Sequence, residues 1–149
     1  AENCGKNSLH WYRPNHNLRP ERMTRLIRSL ALLLAFLWMA ALYYLSDQPS
    51  LPAPELFPHQ DKFIHATAYA ILAALLLLSM PLRTPGFTRR QALTATLLAS
   101  LYGLSDEFHQ SFVPGRDADA FDWLADTSGA LVSSLLLVWL TRRIFAKDT

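Results

Sequence analysis

Four apolar blocks separated by short, proline-bearing polar connections set the pattern of this chain. Residues 29–45 are almost wholly apolar, and residues 61–80 open on one polar turn before running into Ala and Leu. Residues 91–110 are apolar through Leu104 and then abruptly polar. Residues 121–140 reverse that order, polar at first and strongly apolar from Ala130. At 1.5 Å per residue, blocks of this length with their flanks suit a hydrocarbon core of ~30 Å. Backbone N–H and C=O groups in hydrocarbon must pair within their own segment, so the blocks are predicted to be helices. A soluble bundle would need a charged face along each helix, and residues 30–45 and 131–140 contain no charge at all. The pattern therefore predicts an all-α fold, a four-transmembrane-helix bundle.

The connections agree with this division. Pro49, Pro52, Pro54 and Pro58 separate the first two blocks, Pro81, Pro85 and Gly86 the next two, and Pro114 and Gly115 the last two. Proline removes a donor and disfavours helix in the residue before it, so these positions mark helix ends. Residues 1–28 are polar, carry Pro14 and Pro20, and lack apolar periodicity, which predicts a flexible N-terminal segment. The first apolar block is too long and too far along the chain for a signal-peptide core of ~7–15 residues, so it is read as a span. The expected organisation is a polar segment at 1–28, a membrane domain at 29–141 and a tail at 142–149.

Composition supports a bilayer as the first partner. The chain is 51% hydrophobic and 17% charged, against roughly 25% charged residues in soluble domains. Its single cysteine, Cys4, cannot form an intramolecular disulfide. With four spans the termini share a side, and that side carries Lys6, Arg13, Arg19, Arg22, Arg25, Arg28, Arg83, Arg89, Arg90, Arg142, Arg143 and Lys147. Only Lys62 and Arg116 of the 14 basic residues fall on the other. Basic residues in short loops stay inside, so both N-terminus and C-terminus are expected to be cytoplasmic.

The acids lie the other way round. Asp47, Glu55, Asp61, Asp106, Glu107, Asp117, Asp119, Asp122 and Asp126 all belong to the outer side, although acids contribute little to orientation. Three helix ends there carry polar residues at helical spacing. Asp61 and His65 are four apart, Asp106 and Gln110 are four apart with Glu107 and His109 between them, and Asp122 and Asp126 are four apart. Residues three or four apart share a helical face, so three helices can turn polar stripes toward one point, with Arg116 and Lys62 offsetting charge. Ionisable groups within spans are functional-site candidates by default. The candidate ligand-binding set is Asp61, His65, Asp106, Glu107, His109, Gln110, Arg116, Asp122 and Asp126.

Plainer roles compete for the same residues. Asp61 and Asp122 suit helix caps, His65 and His109 suit interhelical hydrogen bonds, and Arg116 suits a loop ion pair. Tyr69, Tyr102 and Trp123 read as packing or interfacial aromatics, and Asp117 and Asp119 as solvated loop charges. Imidazole with carboxylate suits zinc, and carboxylates alone suit calcium or magnesium. A metal, if one is held, would draw on His65, His109, Asp106 and Glu107. No HExxH, CxxC or other established ligand spacing is present, so no cofactor is predicted. There is also no nucleophile elbow or phosphate loop. The inside arginines are topogenic, so no nucleic-acid partner is expected. The inner helix halves are too apolar for an ion path.

Four stretches stand out: Ser46-Asp47-Gln48-Pro49, Asp61-Lys62-Phe63-Ile64-His65 with Tyr69, the run from Tyr102 through Asp106-Glu107-Phe108-His109-Gln110 to Pro114-Gly115-Arg116, and Asp122-Trp123-Leu124-Ala125-Asp126 onward to Ala130. Together they resemble the VanZ-like family. The resemblance covers about residues 46–140 and departs at Asp126, where the family more often has Asn. It implies a multi-pass protein of the bacterial cytoplasmic membrane, part of cell-envelope biology. The family's founding member is associated with low-level resistance to the antibiotic teicoplanin. Two functions follow as expectations. One is binding of a lipid-linked or amphiphilic, glycopeptide-like ligand in an outer polar vestibule. The other is a membrane hydrolase or transferase using the His/carboxylate cluster, with or without a metal.

Overall fold

The computed structural model describes residues 18–49, 56–82 and 86–146, and within them the fold is all-α. Four helices follow one another: α1 (Leu18–Ser46), α2 (Gln60–Ser79), α3 (Arg89–Gln110) and α4 (Ala120–Phe145). Each apolar block forms one of them. The helix α1 begins well before residue 29, so the stretch from Leu18 to Arg28 is helical where the sequence predicts a flexible segment. Its proline, Pro20, stands in the first turn, where a missing N–H costs nothing. The expectation for residues 1–17 lies outside the described residues.

Local chemistry fixes two of the starts. Thr88 and Gln91 form a reciprocal capping box at α3, so two otherwise orphan N–H groups are satisfied. The Asp119 carboxylate accepts from the Phe121 N–H at 2.8 Å and caps α4. Three helices, α1 from Arg22, α2 and α4, are long and apolar enough to cross a membrane. The helix α3, which opens on Arg89 and Arg90 and closes on Asp106 and Glu107, is outside that group by composition.

The helices alternate in direction, so the C-terminal ends of α1 and α3 meet the N-terminal ends of α2 and α4. The helix α2 packs along α4, α3 packs beside α4, and α1 lies on α2. Small residues allow the closest approach. A Cβ on Gly129 of α4 would run into the Ala66 carbonyl of α2. One turn further, Ser133 Oγ donates to the Ala70 carbonyl at 2.8 Å. Small side chains four apart let helix backbones touch where lipid supplies no hydrophobic drive.

Large side chains divide between inside and outside. Tyr69, Leu72, Ala73, Ala99 and Ala130 form one buried cluster, and Leu77, Phe87, Ala92, Ala95 and Val138 a second toward the opposite end. Leu93, Leu97, Leu101 and Leu104 leave the outer face of α3 apolar and exposed. Polar links between helices run mainly from side chains to backbone. Trp38 Nε1 donates to the Ala68 carbonyl at 2.9 Å, and Tyr102 O–H to the Met39 carbonyl at 2.7 Å. Arginines close both ends, Arg28 on the Ser79 carbonyl and Arg116 on the Leu45 and Gln48 carbonyls.

The α2–α4 contact has a direct test. Gly129→Ala should cost at least about 1–3 kcal/mol by overpacking, read as a lower melting temperature in detergent. Ser128→Ala, on the exposed side of the same turn, should stay within about 0.5 kcal/mol of the parent.

Candidate functional site

The site is assembled where the four helix ends meet. From α2, Lys62, His65 and Tyr69 occupy successive turns of the face turned to α4. Their spacing of three and four residues keeps them on one side. From α4 come Asp122 and Asp126, and from α3 Gly103, Asp106, Glu107 and Gln110.

Lys62 is the electrostatic centre of the outer layer. Its Nζ lies 2.6 Å from Asp119 Oδ2, 2.6 Å from Asp122 Oδ1 and 3.0 Å from Asp61 Oδ2. One ammonium thus offsets three carboxylates. Its hydrogen bond holds the Asp119 carboxyl below the ordinary carboxylate range.

One turn deeper, His65 Nδ1 lies 3.0 Å from Asp126 Oδ1, with the Asp126 side chain fully buried. An ionised carboxylate only accepts, so with Asp126 ionised Nδ1–H is the donor and Nε2 is the ring nitrogen on the Asp122 side. The nearest charged group to Nε2 is Asp122 Oδ2, at 4.0 Å. Gly103 makes room for this arrangement: a Cβ there would stand 2.8 Å from Asp126 Oδ2 and 3.2 Å from the Tyr69 ring.

The helix α3 contributes the remaining carboxylates. Glu107 Oε2 accepts from the Asp119 N–H at 2.8 Å, tying α3 to the start of α4. Asp106 Oδ2 accepts from Gln110 Nε2 at 3.1 Å. The second oxygens, Asp106 Oδ1, Glu107 Oε1 and Asp126 Oδ2, are buried without a hydrogen-bond partner, as are the Tyr69 hydroxyl and Ser46 Oγ. Buried polar atoms are nearly always partnered, and three of these residues, Ser46, Tyr69 and Asp106, line one cavity, which marks a place built to receive something polar.

Beside them lies a cavity of about 130 Å³, lined in part by Ser46, His65, Tyr69, Asp106, Gln110 and Arg116. That is ample against the ~10–15 Å³ a single water requires. A largely apolar groove of about 420 Å³ runs along the outer side of the α1–α2 pair, past Trp38, Phe57, Phe63 and Ile71. Cavity and groove share Leu42, Leu45, Ile64 and Ala68 as walls.

The candidates named from the sequence therefore separate. His65, Asp106, Glu107, Gln110, Asp122 and Asp126 are brought together, and Arg116 borders the cavity. Asp61 stands at the rim, its side chain more than half exposed and paired with Lys62. His109 turns away to α1, its ring 4.5 Å from that of Tyr43 and its Nε2 3.4 Å from Asp47 Oδ1. The structure adds Lys62, Asp119, Tyr69 and Gly103. Tyr69 is four residues after His65 and Gly103 three before Asp106, so helical spacing alone could have pointed to both. Nothing in the sequence pairs the loop residue Asp119 with Lys62.

A family model described as VanZ/LLP1 matches residues 6–141. No curated protein and no solved structure matches the chain.

The balance around Lys62 is testable. Lys62→Ala leaves three carboxylates facing one another and should cost about 1.5–3 kcal/mol, the worth of hydrogen bonds to charged groups. Adding Asp122→Asn should recover part of that loss, because one of the stranded charges is gone. Melting temperatures of the two single variants and the double variant give the coupling.

Proposed function

We propose, from the premise that this chain belongs to the VanZ/LLP1 family, that it binds the polar head of an amphiphile or lipid-linked molecule. It does so at an extracytoplasmic vestibule of a bacterial cytoplasmic-membrane protein. The observation that carries this reading is the pairing of two unlike spaces across one wall. On one side are unpartnered Ser46, Tyr69 and Asp106 atoms around a small cavity, and on the other an apolar groove. A polar head satisfies the first and a hydrocarbon chain the second. Apolar lining with a few convergent polar groups is how small-molecule sites are usually built.

Charge narrows the head group. Asp106 and Arg116 both line the cavity, so a neutral, hydroxyl-rich head is favoured over a bare phosphate. The competing reading, a hydrolase or transferase, draws on the His65–Asp126 pair as a general base. His65 Nε2 stands 4.0 Å from the Asp122 carboxylate, beyond hydrogen-bond range, and among the described residues it makes no hydrogen bond to a hydroxyl it could activate, which favours binding.

The vestibule faces outward only if α3 is the fourth span and both termini are inside. Two observations support that arrangement. The helix α3 has 22 residues, or about 33 Å at 1.5 Å each, and its Leu93, Leu97, Leu101 and Leu104 face outward as lipid-contacting residues would. The distribution of basic residues supplies the orientation. In a Cys4→Ser background, a membrane-impermeant maleimide should label Ala118→Cys on intact cells and spare Ala146→Cys until the cells are opened. The reverse pattern would invert the protein and put the cleft inside.

Binding is tested with an N-acylated amino sugar carrying a diazirine in its acyl chain. Cross-links are expected on Phe63 or Ile71 in the parent, at least tenfold weaker with Asp106→Ala, and absent when the probe is a bare alkyl diazirine. Equal labelling of parent and variant, or by both probes, would mean a nonspecific lipid contact and remove the proposal.

A further inference from the structure

The geometry points to a divalent-metal site of the zinc type made by His65, Glu107 and Asp122, with Asp126 as the positioning residue behind the histidine. It shares His65 with the cavity wall but draws on Glu107 and Asp122, which do not line that cavity, and it does not depend on the amphiphile reading.

Three side chains from three helices supply it. One nitrogen of His65 and one carboxylate oxygen each from Glu107 and Asp122 lie within 4.8 Å of one another. With Zn–N and Zn–O bonds of ~2.0–2.2 Å, tetrahedral ligands stand about 3.3 Å apart. Small side-chain rotations cover the difference, and no helix need move.

Each ligand is oriented on its far side. Asp126 accepts the Nδ1 proton of His65 at 3.0 Å, which leaves the Nε2 lone pair for a metal. A carboxylate on the other ring nitrogen is the usual support for a metal-bound histidine. Glu107 Oε2 is fixed by the Asp119 N–H, while Oε1, in a residue only 5% exposed, has no partner. Asp122 is held through Oδ1 by Lys62, so Oδ2 remains toward His65. In each case one atom is engaged and the other is left over.

The chemistry selects the ion. A nitrogen ligand with two carboxylates suits zinc and its transition-metal neighbours better than calcium or magnesium, which prefer all-oxygen sets. Three protein ligands leave one position for water or an incoming donor. His109 and Asp106, which the sequence offers as metal candidates, are outside the three residues whose ligand atoms converge, and His109 lies against α1.

Without a metal role, the same geometry is a His65 ring held by Asp126, with Glu107 serving only as the acceptor for the Asp119 N–H. Zinc titration of the purified, chelator-stripped full chain in detergent separates the two. One zinc per chain is expected by elemental analysis. Glu107→Gln and Asp122→Asn, which keep side-chain shape, should each weaken binding at least tenfold. Asp126→Asn should weaken it about 10–100-fold, the usual effect of losing a supporting partner, and keep the single-site stoichiometry. His109→Ala should bind as the parent does.

Cobalt substituted for zinc should give a d–d spectrum with no thiolate charge-transfer band, which separates this site from uptake at Cys4. Failure of the parent to hold stoichiometric zinc would overturn the proposal. So would binding unchanged by both Glu107→Gln and Asp122→Asn, since the ion would then sit elsewhere. Metal-free melting curves show whether any variant has lost its fold. Should one do so, the remaining near-isosteric variant decides.

Discussion

The spacing of α2 from α4 is set where Gly129 meets the Ala66 carbonyl, and the polar interior depends on that contact. At this separation Lys62 reaches Asp119 and Asp122 at 2.6 Å, and one turn inward His65 reaches Asp126 at 3.0 Å. A larger residue in place of Gly129 would hold the helices apart and lengthen both sets of contacts together. Packing and electrostatics are thus one problem here. The small residues exist to bring charges of opposite sign into hydrogen-bonding range, and the charges help hold two apolar helices in register.

Placing so many carboxylates in a sparsely hydrated interior has a cost that packing alone does not offset. Desolvating an ion takes several kcal/mol even after relaxation, and a pair recovers it only with good geometry and further hydrogen bonds. The outer layer meets that condition through Lys62, which answers three acids at once. The inner layer meets it in part, through His65 for Asp126, Gln110 for Asp106 and a backbone N–H for Glu107. The unmet part is one oxygen each of Asp106, Glu107 and Asp126, the first of these in a residue that lines the cavity. Such a distribution is costly for stability and useful for binding.

Much of this was legible from the chain. The apolar blocks located all four helices, since a bilayer-length apolar run has few other solutions. Spacing of four residues placed Asp122 with Asp126 and Asp106 with Gln110 on shared faces. Spacing could not say which way each face turned. On α3 the inward stripe runs through Ala99, Gly103, Asp106 and Gln110, and His109, rotated off that stripe, falls to α1. On α2 the stripe runs through Lys62, His65 and Tyr69, which leaves Asp61 at the rim despite its four-residue relation to His65. Asp119 was hidden because its role depends on a loop path between α3 and α4. The early start of α1 was hidden because an arginine-rich stretch without apolar periodicity still forms helix when it continues one.

Arginine clasps at two levels of α1, one at Arg28 within it and one at its C-terminal end, have a mechanical corollary. Arg28 grips the end of α2 through the Ser79 carbonyl, and Arg116 grips the end of α1 through Leu45 and Gln48. Between them, Trp38 pins the middle to the Ala68 carbonyl of α2, and the Met39 carbonyl accepts from Tyr102 of α3. A rod fastened in this way swings about whichever fastening holds and cannot slide along its neighbour. Freeing the Arg116 clasp would let the outer end of α1 hinge away about its Trp38 pivot, widening the seam between cavity and groove. The proline–glycine–arginine loop would then act as the doorkeeper of the cleft, although it belongs to neither of the helices it would part.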